Sequence, residues 1–371
     1  MTDTLLRHSR ESGNPLPASA PPSSLSAEDR TALIDQVRRL LADRCTEADV
    51  RRIMDSESGH DPALWRSIAD LGLPGLTIPD AHGGAGLGPV ELELVMEEAG
   101  ASLLPAPLLS TALATALLQS CGHTAPLADI ASGARIATVA FSGANDWTGA
   151  GDVRVAGDRL TGTARFVTDA QIADLILLAT DDGVFLVEAS DATITPLPTF
   201  DHTRRLADVR LDGPASRIGD AAAVKPALDL AIVALAGEQA GAARRLLDMT
   251  VDYARTRHQF GRAIGSFQAI KHMAADLLIE VESATSAARN AAQKLADDAP
   301  DKDSAIALAA FACADAFVKV AADAIQMHGG IAFTWDHPAH LYLRRARADA
   351  ILFGTPDHWR ERFIRALEVQ A

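Results

Sequence analysis

Cysteine is scarce in this chain of 371 residues, and its three copies, Cys45, Cys121 and Cys313, are scattered. Far apart, odd in number and without a metal-ligand spacing, they exclude a disulfide scaffold. A reducing cytoplasm is the expected setting. Basic charge is also short: 34 Lys and Arg face 49 Asp and Glu, a formal net charge of −15. That balance argues against a nucleic-acid partner, because phosphate-backbone binders concentrate Lys and Arg. No unbroken apolar run approaches the ~18–20 residues of a membrane span, so none is expected. Residues 1–26 are rich in Ser, Pro and polar residues and lack the apolar stretch of a secretion signal. They read as a disordered tail outside the fold. No Ser or Cys sits in a G-x-S-x-G elbow; Ser142 in Phe-Ser-Gly-Ala-Asn-Asp is the nearest and does not fit.

What is present is an ordinary globular composition, 48% hydrophobic and 22% charged. The length suits two or three domains with a large core. The pattern runs helical, then β, then helical. Residues 27–128 form an N-terminal helical domain, opened by an N-cap at Ser26 with Glu28 and Asp29 in the first turn. Leu33, Ile34, Val37, Leu40 and Leu41 then recur at helical spacing. Further helices are expected at Leu64–Leu71, from Pro89 through Met96, and at Leu108–Gln119. Residues 129–219 break into short apolar runs separated by Gly, Asp and Asn, the mark of a small antiparallel β-domain. Residues 220–371 return to long Ala/Leu-rich helices, as a bundle requires.

Three motifs invite chemistry. His82-Gly83-Gly84-Ala85-Gly86-Leu87-Gly88 resembles a dinucleotide loop, but the third required glycine is Pro89, so an inter-helix loop is the plainer reading. His328, His337, His340 and His358 suggest a metal, yet Pro338 separates the closest pair and no acidic or Cys partner has a ligand spacing, so no metal is expected. The third motif has two parts. The run from Tyr253 to Gln268 places an Arg cluster at a helix end, then a Gly-bounded turn, then a new helix. Guanidinium forks and a helix start together suit pyrophosphate oxygens, although these Arg could also simply complement the helix dipole. The second part, Gln326-Met327-His328-Gly329-Gly330, puts paired glycines at a helix end, where a ligand could approach or the helix merely stops.

Together these strings resemble the acyl-CoA dehydrogenase family. R-x-Q-F-G-x-x-I-x-x-F-Q is present as Arg257, Gln259, Phe260, Gly261, Ile264, Phe267 and Gln268, and Q-x-x-G-G as Gln326, Gly329 and Gly330. Trp65, Leu71-Gly72-Leu73, Ile78-Pro79, Gly83-Gly84 and Glu97-Glu98 agree in the amino half. Phe166-Val167-Thr168, Ala173-Asp174 and Asp201-His202-Thr203-Arg204 agree in the middle. The resemblance spans about 27–371. It implies a mainly α fold with a β middle domain: a helical N-terminal domain, a β-barrel or sandwich, and a C-terminal four-helix bundle. It implies FAD, an acyl-CoA substrate, an electron-transferring flavoprotein as acceptor, and usually a tetramer. In such enzymes a glutamate removes the thioester's α-proton and the β-hydrogen leaves as hydride to the flavin. By the same resemblance, Arg257, Gln259, Phe260, Gln268, Gln326, Gly329 and Gly330 would hold the pyrophosphate and adenosine of a neighbour's FAD. Thr168 and Thr355 would lie beside a flavin ring.

The sequence departs from the family where the chemistry sits. The usual base precedes a Gly-Thr pair, and here Phe353 precedes Gly354-Thr355. Other members carry the base 26 residues before the motif arginine, which is Ala231 here. Asp229 lies on another helix face, and Glu238 is about 10 Å further along the axis; either would need a shifted register to serve. The T-E-P-x-x-G-S-D flavin loop should lie near Val139, where the text is Val139-Ala140-Phe141-Ser142-Gly143-Ala144-Asn145-Asp146, without its Glu-Pro. The catalytic residue is therefore open. Two readings stand: a self-sufficient dehydrogenase with a relocated base, or the FAD-clasping, base-less chain of a mixed assembly. Residues 329–345 resemble the bacterial group acting on steroid side-chain CoA thioesters, which includes such mixed tetramers. Other flavin chemistry on the same fold is a third, lesser reading.

Overall fold

A computed structural model of the chain describes residues 25–142 and 152–370. The tail expected before residue 25 lies outside that range, as do Gly143, Ala144, Asn145 and Asp146 of the altered flavin loop.

The amino part is helical: α1 (Ala27–Arg44), α2 (Glu47–Met54), α3 (Pro62–Asp70), α4 (Pro89–Ala101), α5 (Leu108–Ser120) and α6 (Leu127–Ala131). Local signals start them. The Ser26 hydroxyl accepts from the Asp29 N–H at 3.1 Å. Thr46 and Asp49 form a reciprocal capping box on α2. Asp61 caps α3 ahead of Pro62.

Among the described residues the middle part has eight strands: β1 (Ala137–Phe141), β2 (Arg154–Ala156), β3 (Arg159–Thr168), β4 (Leu175–Thr180), β5 (Gly183–Glu188), β6 (Ala192–Pro196), β7 (Leu206–Pro214) and β8 (Ser216–Gly219). They make two four-stranded sheets, ordered β1-β4-β5-β8 and β2-β3-β7-β6. The expected all-antiparallel pairing fails at one place: β1 runs parallel to β4, with Ala137 opposite Leu175 and Phe141 opposite Ala179. The chain leaves β1 to build β2 and β3 in the other sheet before returning, and so long a crossover permits parallel pairing. β4 is buried on both faces, which explains its unbroken apolar run. A bulge between Ala164 and Val167 in β3 leaves Phe166 at φ 56° with its ring outward, 55% exposed.

The carboxyl part holds α7 (Val224–Thr256), a minimal hairpin β9 (His258–Gln259) and β10 (Arg262–Ala263), then α8 (Gln268–Ala296), α9 (Lys302–His328), α10 (Ala339–Asp349) and α11 (Pro356–Gln370). α7 is the spine, with every residue from Ala231 to Ala243 buried. α4 crosses it at van der Waals distance through glycine. A Cβ on Gly100 would lie 1.9 Å from the Glu238 carbonyl oxygen, and one on Gly241 1.9 Å from that of Glu97. The expectation about membrane-length segments needs amending. Lys302–Phe333, which is α9 and the turn after it, is long and apolar enough to cross a membrane. Scattered charges broke the run in the sequence. Its apolar residues Ile306, Ala309, Cys313, Phe317, Val320 and Ala324 are buried, and α9 packs against α7, α8, α10 and α11.

Candidate functional site

The arginine turn and the twin-glycine bend meet through one ring contact. α7 ends where the Arg257 N–H donates to the Tyr253 carbonyl at 2.8 Å. The hairpin follows, with Phe260 at φ 53° and Gly261 at φ 79° at its tip, and Gln268 opens α8. α9 ends at His328, and Gly329 turns the chain at φ 68°. The Tyr253 and His328 rings lie 4.6 Å apart, which joins the last turn of α7 to the last turn of α9. Arg257, Gln259, Phe260, Gln268, Gln326 and Gly330 all face outward, and Phe260 is 92% exposed. A Cβ built on Gly261, Gly329 or Gly330 would meet nothing within 4 Å, so this backbone faces open space. Among the described residues no carboxylate pairs with Arg257. The donor set is a free guanidinium, three side-chain amides and bare glycine backbone, which fits the anionic middle of a dinucleotide.

Thr168 and Thr355 make no hydrogen bond or ring contact with this surface. Thr168 closes β3, nearly buried, and its carbonyl accepts from the Thr138 hydroxyl at 2.6 Å. Thr355 is exposed, and its hydroxyl accepts from the His358 N–H at 3.3 Å at the start of α11.

The place of the missing base is filled. Phe353 is buried at φ 61°, and its ring meets that of Phe141 edge-on, with centroids 6.3 Å apart and planes at 68°. Trp359 Nε1 donates to the Phe353 carbonyl at 3.1 Å and fixes this turn. Phe141 ends β1 at the altered flavin loop, so the two positions that depart from the family pack against each other.

The acidic candidates are engaged elsewhere. Asp229 accepts from Lys225 Nζ at 2.7 Å, and Lys225 also reaches Asp303 at 2.9 Å. Burial raises the Asp229 carboxyl, with Lys225 opposing. Ala231 is wholly buried. Glu238, 2% exposed, takes both oxygens to Arg204 Nη2 at 2.7 Å and one also to Arg345. Arg345 in turn binds Asp201 through Nε at 2.6 Å and the Thr203 hydroxyl at 2.6 Å. Arg204 also pairs with Asp349. Burial alone would raise the Glu238 carboxyl, but the two guanidinia outweigh it and hold the group below the usual range. The remaining strain falls on Asp349, which burial pushes up to about 7. A base needs the reverse, a carboxylate poised near the working pH.

Beside Glu238 lies a cavity of about 20 Å³, lined among others by Met96, Leu104, Leu108, Asp169 and Arg204. That volume admits about one water, not an acyl chain. A crevice of about 830 Å³ runs between α1, α4, α7, α8 and α10. Of its arginines, Arg38, Arg244 and Arg289 are paired with Glu98, Glu282 and Glu97, and Arg245 lies against the Tyr342 hydroxyl. None of the nine predicted cofactor positions lines either space. The buried charge cluster is what sequence reasoning missed. Its only local signals were the Asp-His-Thr-Arg loop and the Arg344-Arg345 pair.

The four histidines do not converge: His328 and His337 meet ring to ring, while His340 packs edge-on against Trp335 and His358 against Trp359. His328 and His337 centroids are 4.3 Å apart. Among the described residues no group of three His, Cys, Asp or Glu could hold a metal. The glycine-rich run at 82–88 follows a 3₁₀ turn at Asp80–His82, not a strand, so it lacks the setting of a dinucleotide loop.

Comparison with known proteins gives the context. Residues 27–126 match the family model "Acyl-CoA dehydrogenase, N-terminal domain", and residues 221–367 match "Acyl-CoA dehydrogenase, C-terminal domain". The chain is 39% identical over 345 residues to acyl-CoA dehydrogenase IpdE2 of Mycolicibacterium smegmatis, covering 93% of this chain and 99% of that one. It is 36% identical over 332 residues to IpdE2 of Mycobacterium tuberculosis, covering 89% and 94%. Among solved structures, a chain of the ChsE4–ChsE5 complex from Mycobacterium tuberculosis superposes with TM-score 0.85 and 31% identity, covering 93% and 98%. A chain of the Tcur3481–Tcur3483 steroid ACAD variant does so with TM-score 0.85 and 30% identity, covering 92% and 98%.

Proposed function

The chain belongs to the acyl-CoA dehydrogenase family, and we propose that it is the FAD-clasping, base-less subunit of a mixed dehydrogenase. FAD is the family's cofactor and supplies the hydride acceptor when bound. In this reading Arg257 and the amides of Gln259, Gln268 and Gln326 hold its pyrophosphate and adenosine, and Gly329 and Gly330 let the backbone approach. A partner chain of the same family would contribute the carboxylate that this chain lacks at position 353. Electrons pass to an electron-transferring flavoprotein.

One observation carries the reading: the Phe141–Phe353 pair fills the place where a carboxylate and a flavin loop would face each other. The self-sufficient alternative is less well supported, because Glu238 is held ionised by two guanidinia and Asp229 is paired with Lys225. The ChsE4–ChsE5 complex and the steroid ACAD support a two-chain assembly and a ring-bearing acyl group.

The test is to purify the chain alone and together with its natural partner, then measure bound flavin and turnover. The lone chain is expected to be colourless and inactive, and the mixed assembly to hold one FAD for each pair of unlike chains. Full turnover by the lone chain would refute the reading.

A further inference from the structure

The two halves of the clasp lie on different helices, and three rings hold them together. Tyr253 lies one turn before Arg257 on α7, His328 immediately precedes Gly329 on α9, and His337 precedes α10. Tyr253 and His328 centroids are 4.6 Å apart, His328 and His337 4.3 Å, and Tyr253 and His337 6.1 Å. We propose that this cluster of three rings is the brace that positions the arginine turn against the twin-glycine bend, and that it holds only while both imidazoles are neutral. The inference rests on the clasp reading above and adds to it a pH-dependent grip on FAD.

The backbone dictates the neutral forms. His328 Nδ1 lies 2.8 Å from the Ala324 carbonyl, so Nδ1 carries the proton. Its Nε2 is then a bare lone pair, buried without a partner, on a side chain only 4% exposed. His337 has the opposite tautomer: its Nδ1 accepts from the Ala339 N–H at 3.2 Å, at the first residue of α10. Protonating His337 would set two donors against each other and release that helix start. Protonating His328 would place an unmatched N–H in the cluster beside the other ring.

The surroundings offer little rescue. From α2, Glu47 favours a charged His337, but its own partner Arg51 opposes it. From α10, His340 is itself held low, at about 4, by burial and by the nearby Arg344, so it adds no charge in the range tested. From α7, the Tyr253 ring faces the pair. Burial accordingly lowers both His328 and His337, and for His337 the neighbouring His328 lowers it further.

The sign follows. The braced form binds fewer protons than the opened form, so the grip is complete above the ordinary imidazole value of about 6.5 and weakens as pH falls below it. At pH 5.5, one unit below that value, a freed imidazole is about ten parts protonated to one, so each histidine shifts the brace toward its open form by up to about tenfold, and FAD is lost as that form fills.

The experiment uses the full chain purified with its natural partner, loaded with FAD, with retained flavin read by fluorescence from pH 8 to 5.5. Helix content is followed by circular dichroism over the same range. The wild type is expected to release FAD on acidification with its helices intact. The double variant His328→Asn, His337→Asn keeps a donor at 328 and an acceptor at 337 but has neither ring and cannot titrate, so it should hold FAD more weakly than the wild type at pH 8 and show no further loss on acidification. If the wild type holds no FAD even at pH 8, the clasp reading itself fails. If FAD is held at pH 8 and lost alike by both proteins, the clasp stands and the brace is overturned. Should the double variant not assemble, NMR titration of the wild-type histidines decides: two rings titrating near the ordinary value of about 6.5 overturn the proposal, and two well below it support it.

Discussion

Replacing Glu238 by Gln separates a structural carboxylate from a catalytic one. Gln keeps the volume and one acceptor but removes the charge. Arg204 and Arg345 would then share Asp201 and Asp349 as their only ionised partners in the cluster. Stranding buried guanidinia in this way costs about 3–5 kcal/mol. The lower end is expected, because Asp349 compensates. Burial is the main reason its carboxyl sits at about 7, and the Glu238 charge adds to it. With that charge gone, Asp349 ionises more readily and restores two carboxylates for two guanidinia. The compensation has its own signature. An acid raised in the native state stabilises least at high pH, because the unfolded chain releases its proton from about 4 upward. In the wild type, Asp349→Asn should therefore become relatively more favourable as pH rises from about 4 to 7. In the Glu238→Gln background the same change removes the compensating charge and should be harmful, giving a coupling of about 1–3 kcal/mol between the two sites. Unfolding midpoints of the four proteins at pH 5 and pH 8 measure this. A Glu238→Gln protein within about 0.5 kcal/mol of wild type would refute the buried-network account. If that stable protein also lost turnover in the mixed assembly, Glu238 would be the base after all.

Three further outcomes follow from the same geometry. Arg257→Ala removes an exposed side chain without a carboxylate partner, so the lone chain should melt unchanged while FAD retention in the mixed assembly falls about 10- to 100-fold, the worth of one charge-assisted hydrogen bond; unchanged retention would remove Arg257 from the clasp. Gly241→Ala forces a methyl to within 1.9 Å of the Glu97 carbonyl oxygen, and the α4–α7 crossing should lose about 3 kcal/mol or fail to form, as read by melting temperature and soluble yield. Phe353→Glu returns a carboxylate to the family's position, but buries it against the Phe141 ring; a lower melting temperature and no turnover by the lone chain are expected, and any turnover would show that one substitution rebuilds the site.

What could be read from the sequence was local. Ser26 and Pro89 announced their helices, and Arg257–Gln268 and Gln326–Gly330 are contiguous strings whose candidate site residues are close together in the chain and mostly exposed. α2 and α6 escaped because eight and five residues give too little periodicity. The parallel β1–β4 pair escaped because no local signal specifies which strand lies beside which. The charge cluster escaped for the same reason: Arg204 comes from the β6–β7 loop, Glu238 from the middle of α7, and Arg345 and Asp349 from α10. Singly, each looked like an ordinary surface charge.

The division between inside and outside bears most directly on function. A buried side chain can be accounted for by the stability it brings. Phe141 and Phe353 fill space, and Arg204, Glu238 and Arg345 tie the middle strands to α7 and α10. No such account covers Phe260, 92% exposed with a positive φ, or Arg257, which faces solvent. Holding a large aromatic in water on strained backbone costs free energy, and one edge-on contact with the Phe267 ring, centroids 6.2 Å apart, is a small return for it. Such a surface makes physical sense only when something docks on it. The bare glycine backbone, free guanidinium and amides exposed at these two helix ends suit an anionic nucleotide better than an apolar protein face. The interior of this chain serves its own stability, and on the reading proposed above the chemistry-bearing groups at its surface would complete a site whose remaining walls another chain supplies.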